Sequence, residues 1–68
     1  MGFGTNPYVT KAEVAEQKAQ DTSEEAARLR HWHEAAHEWD RAAGREPPGK
    51  RRAEYEARAE RARGGGID

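Results

Sequence analysis

The chain has 68 residues, of which 37% are charged and 34% hydrophobic, and its formal net charge at pH 7 is −1. The mean hydropathy is −1.29, no apolar stretch is long enough for a transmembrane helix, and the absence of cysteine excludes disulfide bridges and thiolate metal sites. A chain this short folds as one domain and buries only about 60% of the surface that its unfolded form exposes, so we expect a thin core.

The N-terminal part of the chain contains turn-forming residues followed by a helix start signal. Residues 1–9 include two glycines and the Asn6-Pro7 pair, which predict an irregular lead-in. Thr10 is the predicted N-cap of a first helix, because Glu13 stands three residues later and completes a capping box with it. We expect this helix to span residues 11–20.

A second start signal precedes the most regular amphipathic segment. Thr22 and Glu25 form another capping box, so we expect a break between the first and second helices rather than one continuous helix. The second helix is predicted over residues 23–43, with Gly44 as its C-terminal stop. Its apolar residues recur at alternating spacings of three and four, which places them on one stripe: Leu29, Trp32, Ala36, Trp39 and Ala43.

A third helix is predicted over residues 50–63, because the Pro-Pro-Gly segment at 47–49 blocks continuation of the second. Residues 10–43 carry five basic and eight acidic side chains, a net charge of −3, whereas residues 44–63 carry seven basic and four acidic ones, a net charge of +3. Opposite charges on segments joined by a short turn attract one another, so we expect an antiparallel hairpin. The triple glycine predicts a flexible tail over residues 64–68.

These elements predict an all-α fold, a small three-helix arrangement dominated by the helical hairpin, in a single domain over residues 1–68. The large apolar side chains are few, and thirteen alanines supply most of the remaining hydrophobic content. Alanine favours helix but contributes little buried area. The predicted core consists of Val14, Leu29, Trp32, Trp39 and Tyr55.

One pentapeptide resembles a catalytic signature. His33-Glu34-Ala35-Ala36-His37 reads as H-E-x-x-H, which in zinc metallopeptidases places two metal ligands and a general base on one helix. Residues four apart on a helix share a face, so His33 and His37 can bind one zinc ion, with Glu34 as the base. A catalytic site needs a third protein ligand, for which the sequence offers downstream glutamates without any distinguishing context: Glu54, Glu56 and Glu60.

Several features weigh against an enzyme. The chain has no strand pattern that would hold an extended peptide substrate, and both wildcard positions of the motif are alanine, the commonest residue of the chain. We therefore favour solvated histidines at positions 33 and 37, with structural or adventitious metal binding as an alternative to a peptidase site. We expect no catalytic activity, no cofactor and no small-molecule substrate.

The third predicted helix is basic, which raises nucleic-acid binding as another alternative. Glutamates interleave with its basic residues, and Tyr55 is the aromatic side chain available there for stacking on bases. We expect the positive charge to face the acidic second helix, or an acidic partner, rather than nucleic acid. The residues that would contact phosphates are Lys50, Arg51, Arg52, Arg58, Arg61 and Arg63.

The sequence favours a non-enzymatic protein–protein interaction module whose partner is another protein or a second copy of the chain. Trp32 and Trp39 lie one heptad apart on one helix face, and tryptophan is enriched both in small cores and in interface hot spots. Core packing is the first interpretation and a partner patch the second. The N-terminus lacks a signal-peptide pattern, which favours a cytoplasmic location without membrane association. The predicted partner-binding residues are Trp32, Trp39, Leu29 and Tyr55.

Overall fold

The computed structural model describes residues 6–66, which form three α-helices and no β-strand. In chain order these helices are α1 (Pro7–Asp21), α2 (Glu25–Arg45) and α3 (Lys50–Arg63). The predicted all-α fold is confirmed, and so are the break between the first two helices and the extent of the third. The two prolines before α3 explain the last agreement, because a proline inside a helix removes a backbone hydrogen bond and clashes with the preceding turn.

α1 begins earlier than the sequence predicts. Asn6 is its N-cap, and the Asn6 Oδ1 accepts a hydrogen bond of 3.1 Å from the amide of Tyr8. Pro7 suits the first helical position, because its fixed φ is helical and its missing N–H would have no partner there. The prediction of Thr10 as N-cap is therefore wrong. The predicted lead-in does not extend past Asn6, and residues 1–5 lie outside the described part of the chain.

Thr22 ends α1 instead of starting α2. It is the C-cap of α1, and its Oγ1 donates a hydrogen bond of 2.7 Å to the carbonyl of Lys18. Glu24 is the N-cap of α2 and makes no capping hydrogen bond with its side chain. The predicted capping box of Thr22 and Glu25 is wrong, because the threonine hydroxyl is engaged with the preceding helix.

The end of α2 is set by a proline rather than by a glycine. The helix continues through Gly44 to Arg45, so the prediction of Gly44 as its stop is wrong. Glu46 is the C-cap, has an extended backbone, and donates its amide to the carbonyl of Ala43. A residue that precedes proline is driven out of the helical region by the proline ring, so Pro47 accounts for the extended conformation of Glu46.

α3 runs antiparallel to α2. Tyr55, in the first half of α3, lies against Trp39 in the second half of α2, with 5.5 Å between the ring centroids. Gly66, just after the end of α3, lies against Trp32, nearer the start of α2. The predicted antiparallel hairpin of the second and third helices is confirmed.

Asn6 joins the start of α1 to the end of α2. Its side chain is buried, and Nδ2 donates to the carbonyl of Ala42 at 2.9 Å and to Oε2 of Glu46 at 3.2 Å. Because the first turn of α1 lies at the last turn of α2, these two helices are also antiparallel. One amide side chain thus satisfies backbone groups that both helix ends leave without an intrahelical partner.

The core is built from tryptophan and alanine. Trp39 is its centre: it is 1% exposed and contacts both flanking helices. Its Nε1 donates a hydrogen bond of 2.7 Å to Oε2 of Glu16 in α1, and the guanidinium of Arg58 in α3 lies 5.1 Å from its ring centroid. Short alanine side chains let the helices approach closely. The buried alanines among the described residues are Ala12, Ala15, Ala19, Ala35, Ala36, Ala42, Ala43, Ala59 and Ala62.

The predicted core is correct for its aromatic members and wrong for its aliphatic ones. Trp32 and Trp39 are buried, and Tyr55 packs against them half-buried. Val14 is 49% exposed and Leu29 is 43% exposed. The alanines of α1 face α2 and Val14 does not, because successive residues of a helix point about 100° apart.

The glycines after α3 close the helix and cover Trp32. The amide of Gly65 donates to the carbonyl of Ala62 at 2.9 Å, and the amide of Gly66 donates to that of Arg61 at 3.0 Å, which is the Schellman arrangement. Gly65 and Gly66 have φ values of +84° and +78°, in the region that favours glycine. The segment predicted as a flexible tail therefore includes a defined C-terminal cap. Its last two residues, 67–68, lie outside the described part of the chain.

Candidate functional site

The H-E-x-x-H pentapeptide lies on a helix, as the sequence predicts, in the middle of α2. His33, Glu34 and His37 are all exposed. The Glu34 Oε1 lies 3.5 Å from Nδ1 of His31, which stands one turn earlier. Residues 6–66 contain no group of three or more His, Cys, Asp or Glu side chains placed to hold a metal ion.

The glutamates considered as third metal ligands form ion pairs along α3 instead. Oε2 of Glu54 lies 3.5 Å from Nη2 of Arg58, and Oε2 of Glu56 lies 3.3 Å from Nε of Arg52. Glu60 pairs with Arg63 at 2.8 Å. The structure thus brings none of these three carboxylates to His33 and His37.

Arg63, at the end of the basic helix α3, forms an ion pair with α2. Nη1 of Arg63 donates to Oδ2 of Asp40 at 2.9 Å, while Nη2 donates to Oε1 of Glu60. The hydrogen bonds that Arg63 donates, first to Glu60 and then to Asp40, raise the pKa of Arg63 above its ordinary value. At Arg63 the positive charge of α3 therefore faces the acidic second helix, as the charge pattern of the sequence predicts.

The four predicted partner-binding residues occupy different environments. Trp39 lies at the junction of all three helices, and Trp32 is 7% exposed beneath Gly66. Tyr55 is half-buried against Trp39. The structure brings these three aromatic residues together as core, so Leu29 is the member of the set that presents a large apolar surface to solvent. It borders a recess of about 290 Å³ beside Trp32 and Gly65.

A larger concave surface lies between α1 and α2, and the sequence does not predict it. We call this surface the α1–α2 groove. Its volume is about 400 Å³, and the exposed Val14 lies within it. The signal in the sequence is the position of Val14 between the alanines of α1, which leaves it on the flank of their stripe. The groove is lined by Thr10, Lys11, Val14, Ala15 and Lys18 from α1, and by Glu34 and Glu38 from α2.

The groove contains charges of both signs that do not pair with each other. Oε1 of Glu38 is buried and accepts no hydrogen bond. Nζ of Lys11 lies 5.7 Å from the ring centroid of Tyr8. Within residues 6–66, no ion pair joins Lys11 or Lys18 to Glu34 or Glu38. The α2 wall of the groove thus offers carboxylate oxygens as acceptors.

Comparisons with protein-family models, with curated proteins and with solved structures find no match. None of the helices within residues 6–66 is both long enough and apolar enough to cross a membrane. On the surface of residues 6–66, the α1–α2 groove combines concavity, an exposed aliphatic residue and a buried carboxylate oxygen without a hydrogen-bond partner.

Proposed function

We propose that the protein is a non-enzymatic interaction module that binds another protein through the α1–α2 groove. The observation that carries the proposal is Val14, an aliphatic side chain 49% exposed inside a concave surface of about 400 Å³. A concave surface that combines an apolar side chain with polar groups is the usual candidate for a binding site. Val14 is flanked in this way by the charged side chains of Lys18 and Glu38.

The energetic contribution of Val14 is modest, so the proposal requires additional contacts. Complete burial of a valine contributes about 1.5–3 kcal/mol, and about half of this side chain is already covered. The remaining gain is of the order of 1 kcal/mol, or less than a tenfold change in affinity. Hydrogen bonds to Glu34 and Glu38 are the natural complement, because both carboxylates line the same groove.

The positions of the histidines favour binding over catalysis. His33 and His37 line neither the α1–α2 groove nor the recess beside Leu29. A molecule bound in either concavity would therefore not lie between the two side chains that the H-E-x-x-H pattern requires as ligands. Glu34 alone of the three lines the groove, where it acts as an acceptor in the proposed interaction.

Site-specific photocrosslinking tests the proposal. The photoreactive residue p-benzoylphenylalanine replaces Val14 in one variant and the exposed Ala57 of α3 in a matched control variant. After irradiation in the producing cells, we expect a protein adduct at position 14 that is absent at position 57. The purified partner should bind the wild-type chain, and Val14→Ser should weaken that binding.

The outcomes of this experiment distinguish a different protein from a second copy of the chain as the partner, and they test whether the groove is the binding surface. An adduct between two copies of the chain identifies the partner as a second copy. Identical adducts at positions 14 and 57, or no adduct at position 14, would contradict binding through the groove. Binding of the purified partner that Val14→Ser leaves unchanged would do the same.

A further inference from the structure

We propose that His33 and His37 bind a zinc ion whose coordination is completed by the same two histidines of a second copy of the chain. This site is separate from the proposed function, because neither histidine lines the α1–α2 groove. Its first support is the spacing on α2, since residues four apart lie on one face of a helix with about 5–6 Å between their Cβ atoms. Two imidazoles at that distance can converge on one ion, because a zinc–nitrogen bond is about 2.0–2.1 Å long.

The second support is that both imidazoles are available. His33 and His37 are exposed, and within residues 6–66 neither makes a hydrogen bond or an ion pair. His31 differs from them, because its Nδ1 lies 3.5 Å from Oε1 of Glu34. A metal ion can therefore bind His33 and His37 without breaking a contact of the fold, whereas at His31 it competes with a carboxylate.

Two arginines flank the histidine pair on α2, and neither excludes a metal ion. Arg41 follows His37 by four residues, and its guanidinium lies 5.6 Å from the ring centroid of Tyr8 in α1. Arg30 precedes His33 by three residues and is exposed. Water weakens the repulsion between its charge and a bound ion, because the interaction of exposed charges is reduced by the high dielectric constant of the solvent.

The third support is that one chain supplies an incomplete ligand set. Structural zinc sites have four protein ligands in a tetrahedron. Residues 6–66 contain no group of three or more side chains that could hold a metal ion. Two acidic residues beside the histidine pair make other contacts: Asp40 accepts a hydrogen bond from Arg63, and Glu34 pairs with His31. Two of the four coordination positions are therefore left for ligands from outside the chain.

A second copy of the chain supplies the missing ligands. A two-fold axis through the ion brings the identical histidine pair of that copy to it, as in the self-complementary interfaces of most homodimers. Four imidazoles complete the tetrahedron, so assembly ends at two chains. Because both histidines are exposed, the second copy reaches them without displacing α1 or α3. The formal net charge of −1 per chain keeps the overall repulsion between copies small.

Sedimentation equilibrium of the full chain tests the proposal. The solution contains about 500 µM chain and up to about 500 µM zinc chloride, because we expect an apparent dissociation constant of about 10–100 µM. The mass should double from 7.6 kDa, with one zinc bound per two chains, and should return to the starting value when EDTA is added. Magnesium chloride at the same concentration should leave the mass unchanged, because magnesium prefers oxygen ligands.

Three variants connect the dimer to the histidine pair. His33→Gln and His37→Gln each remove one ligand from each chain, and each should weaken zinc-dependent dimerisation at least about tenfold. His31→Gln is the matched control on the same helix and should dimerise like the wild type. Circular dichroism verifies that all three variants keep their helices. In NMR spectra of the wild type, zinc should shift the ring signals of His33 and His37 and leave those of His31 in place.

Three results would overturn the proposal: a chain that stays monomeric in zinc even if its ring signals shift, a dimer that His33→Gln or His37→Gln retains, and an equal loss of dimer in His31→Gln. Crosslinking at position 14 in a His33→Gln background tests the α1–α2 groove without the zinc dimer. A specific crosslink in that background without a zinc dimer in the wild type contradicts the metal site and keeps the groove. A zinc dimer without that crosslink keeps the metal site and contradicts the groove.

Discussion

Replacing Gly66 by alanine is expected to destabilise the fold more than replacing either of the two glycines that precede it. Gly66 has a φ of +78°, and an alanine Cβ built there would lie 2.5 Å from Cζ2 of Trp32. The left-handed conformation costs an L-residue about 1–2 kcal/mol, and overpacking typically costs about 1–3 kcal/mol. The expected loss is therefore about 2–5 kcal/mol, a large share of the total of about 3–10 kcal/mol that a chain of this length has.

The two preceding glycines provide a graded series of controls. At Gly65 the φ of +84° brings the same backbone cost, but the nearest atom to an added Cβ is Cδ2 of the exposed Leu29, at 3.2 Å. The loss for Gly65→Ala should thus be about 1–2 kcal/mol. At Gly64 the φ is −84° and the nearest atom is 3.6 Å away, an ordinary contact. Gly64→Ala should be neutral or stabilise the fold by up to about 1 kcal/mol.

Thermal unfolding followed by circular dichroism measures the series. For a domain of this size, 1 kcal/mol shifts the melting temperature by about 4–8 °C, so Gly66→Ala should lower it by roughly 10 °C or more. Tryptophan emission should also move to longer wavelength, because a displaced chain exposes Trp32. Melting temperatures in the order 66, 65, 64, from lowest to highest, are expected. Equal values for Gly66→Ala and Gly64→Ala would refute the packing of the C-terminal cap on Trp32.

Three further predictions concern the other contacts. Asn6→Ala should lower the free energy of unfolding by about 1–2 kcal/mol in urea, and Asn6→Asp, which keeps the cap acceptor, should not restore it; wild-type stability of the aspartate variant would mean that the donation to Ala42 is unimportant. Trp39→Phe and Glu16→Ala should show a coupling free energy of about 1 kcal/mol in a double-mutant cycle, whereas additive effects would exclude their hydrogen bond. Zinc titrated against the histidine ring signals should bind with a dissociation constant weaker than about 1 µM; tighter binding would require a third ligand.

The helix boundaries were predictable where the residues at the boundary determine the backbone conformation by themselves. The prolines at positions 47 and 48 fix the interruption before α3 whatever the tertiary structure is. The caps were less predictable, because Asn6-Pro7 has the pattern of a turn while Thr10 and Glu13 have the pattern of a capping box in the same short stretch. The structure uses Asn6, whose amide also reaches Ala42 and Glu46 on another helix. A contact between residues so far apart in sequence is not contained in a capping pattern.

The exposed aliphatic residues were not predictable from hydrophobicity alone. Val14 and Leu29 are larger than the alanines beside them, so a ranking by apolar area places them in the core. Burial in this protein depends instead on which face of a helix meets its neighbour, because Ala15 and Ala19 are buried while Val14 is exposed. The α1–α2 groove results from this choice of face, because the side chain of Val14, which lies outside the row of buried alanines, forms part of its apolar surface.

The buried alanines of α1 also affect what kind of partner the groove can recognise. The buried apolar residues of α1 are alanines, so the apolar surface that α1 leaves open in the groove is mainly that of Val14. Lys18 and Glu38 line the groove beside Val14. A partner therefore meets charged groups as well as Val14, and we expect discrimination to depend on charge and donor geometry more than on apolar area. On this argument, charge reversal at Glu38 should impair partner binding more than enlargement of Val14 to isoleucine, and the opposite order would indicate a mainly apolar interface.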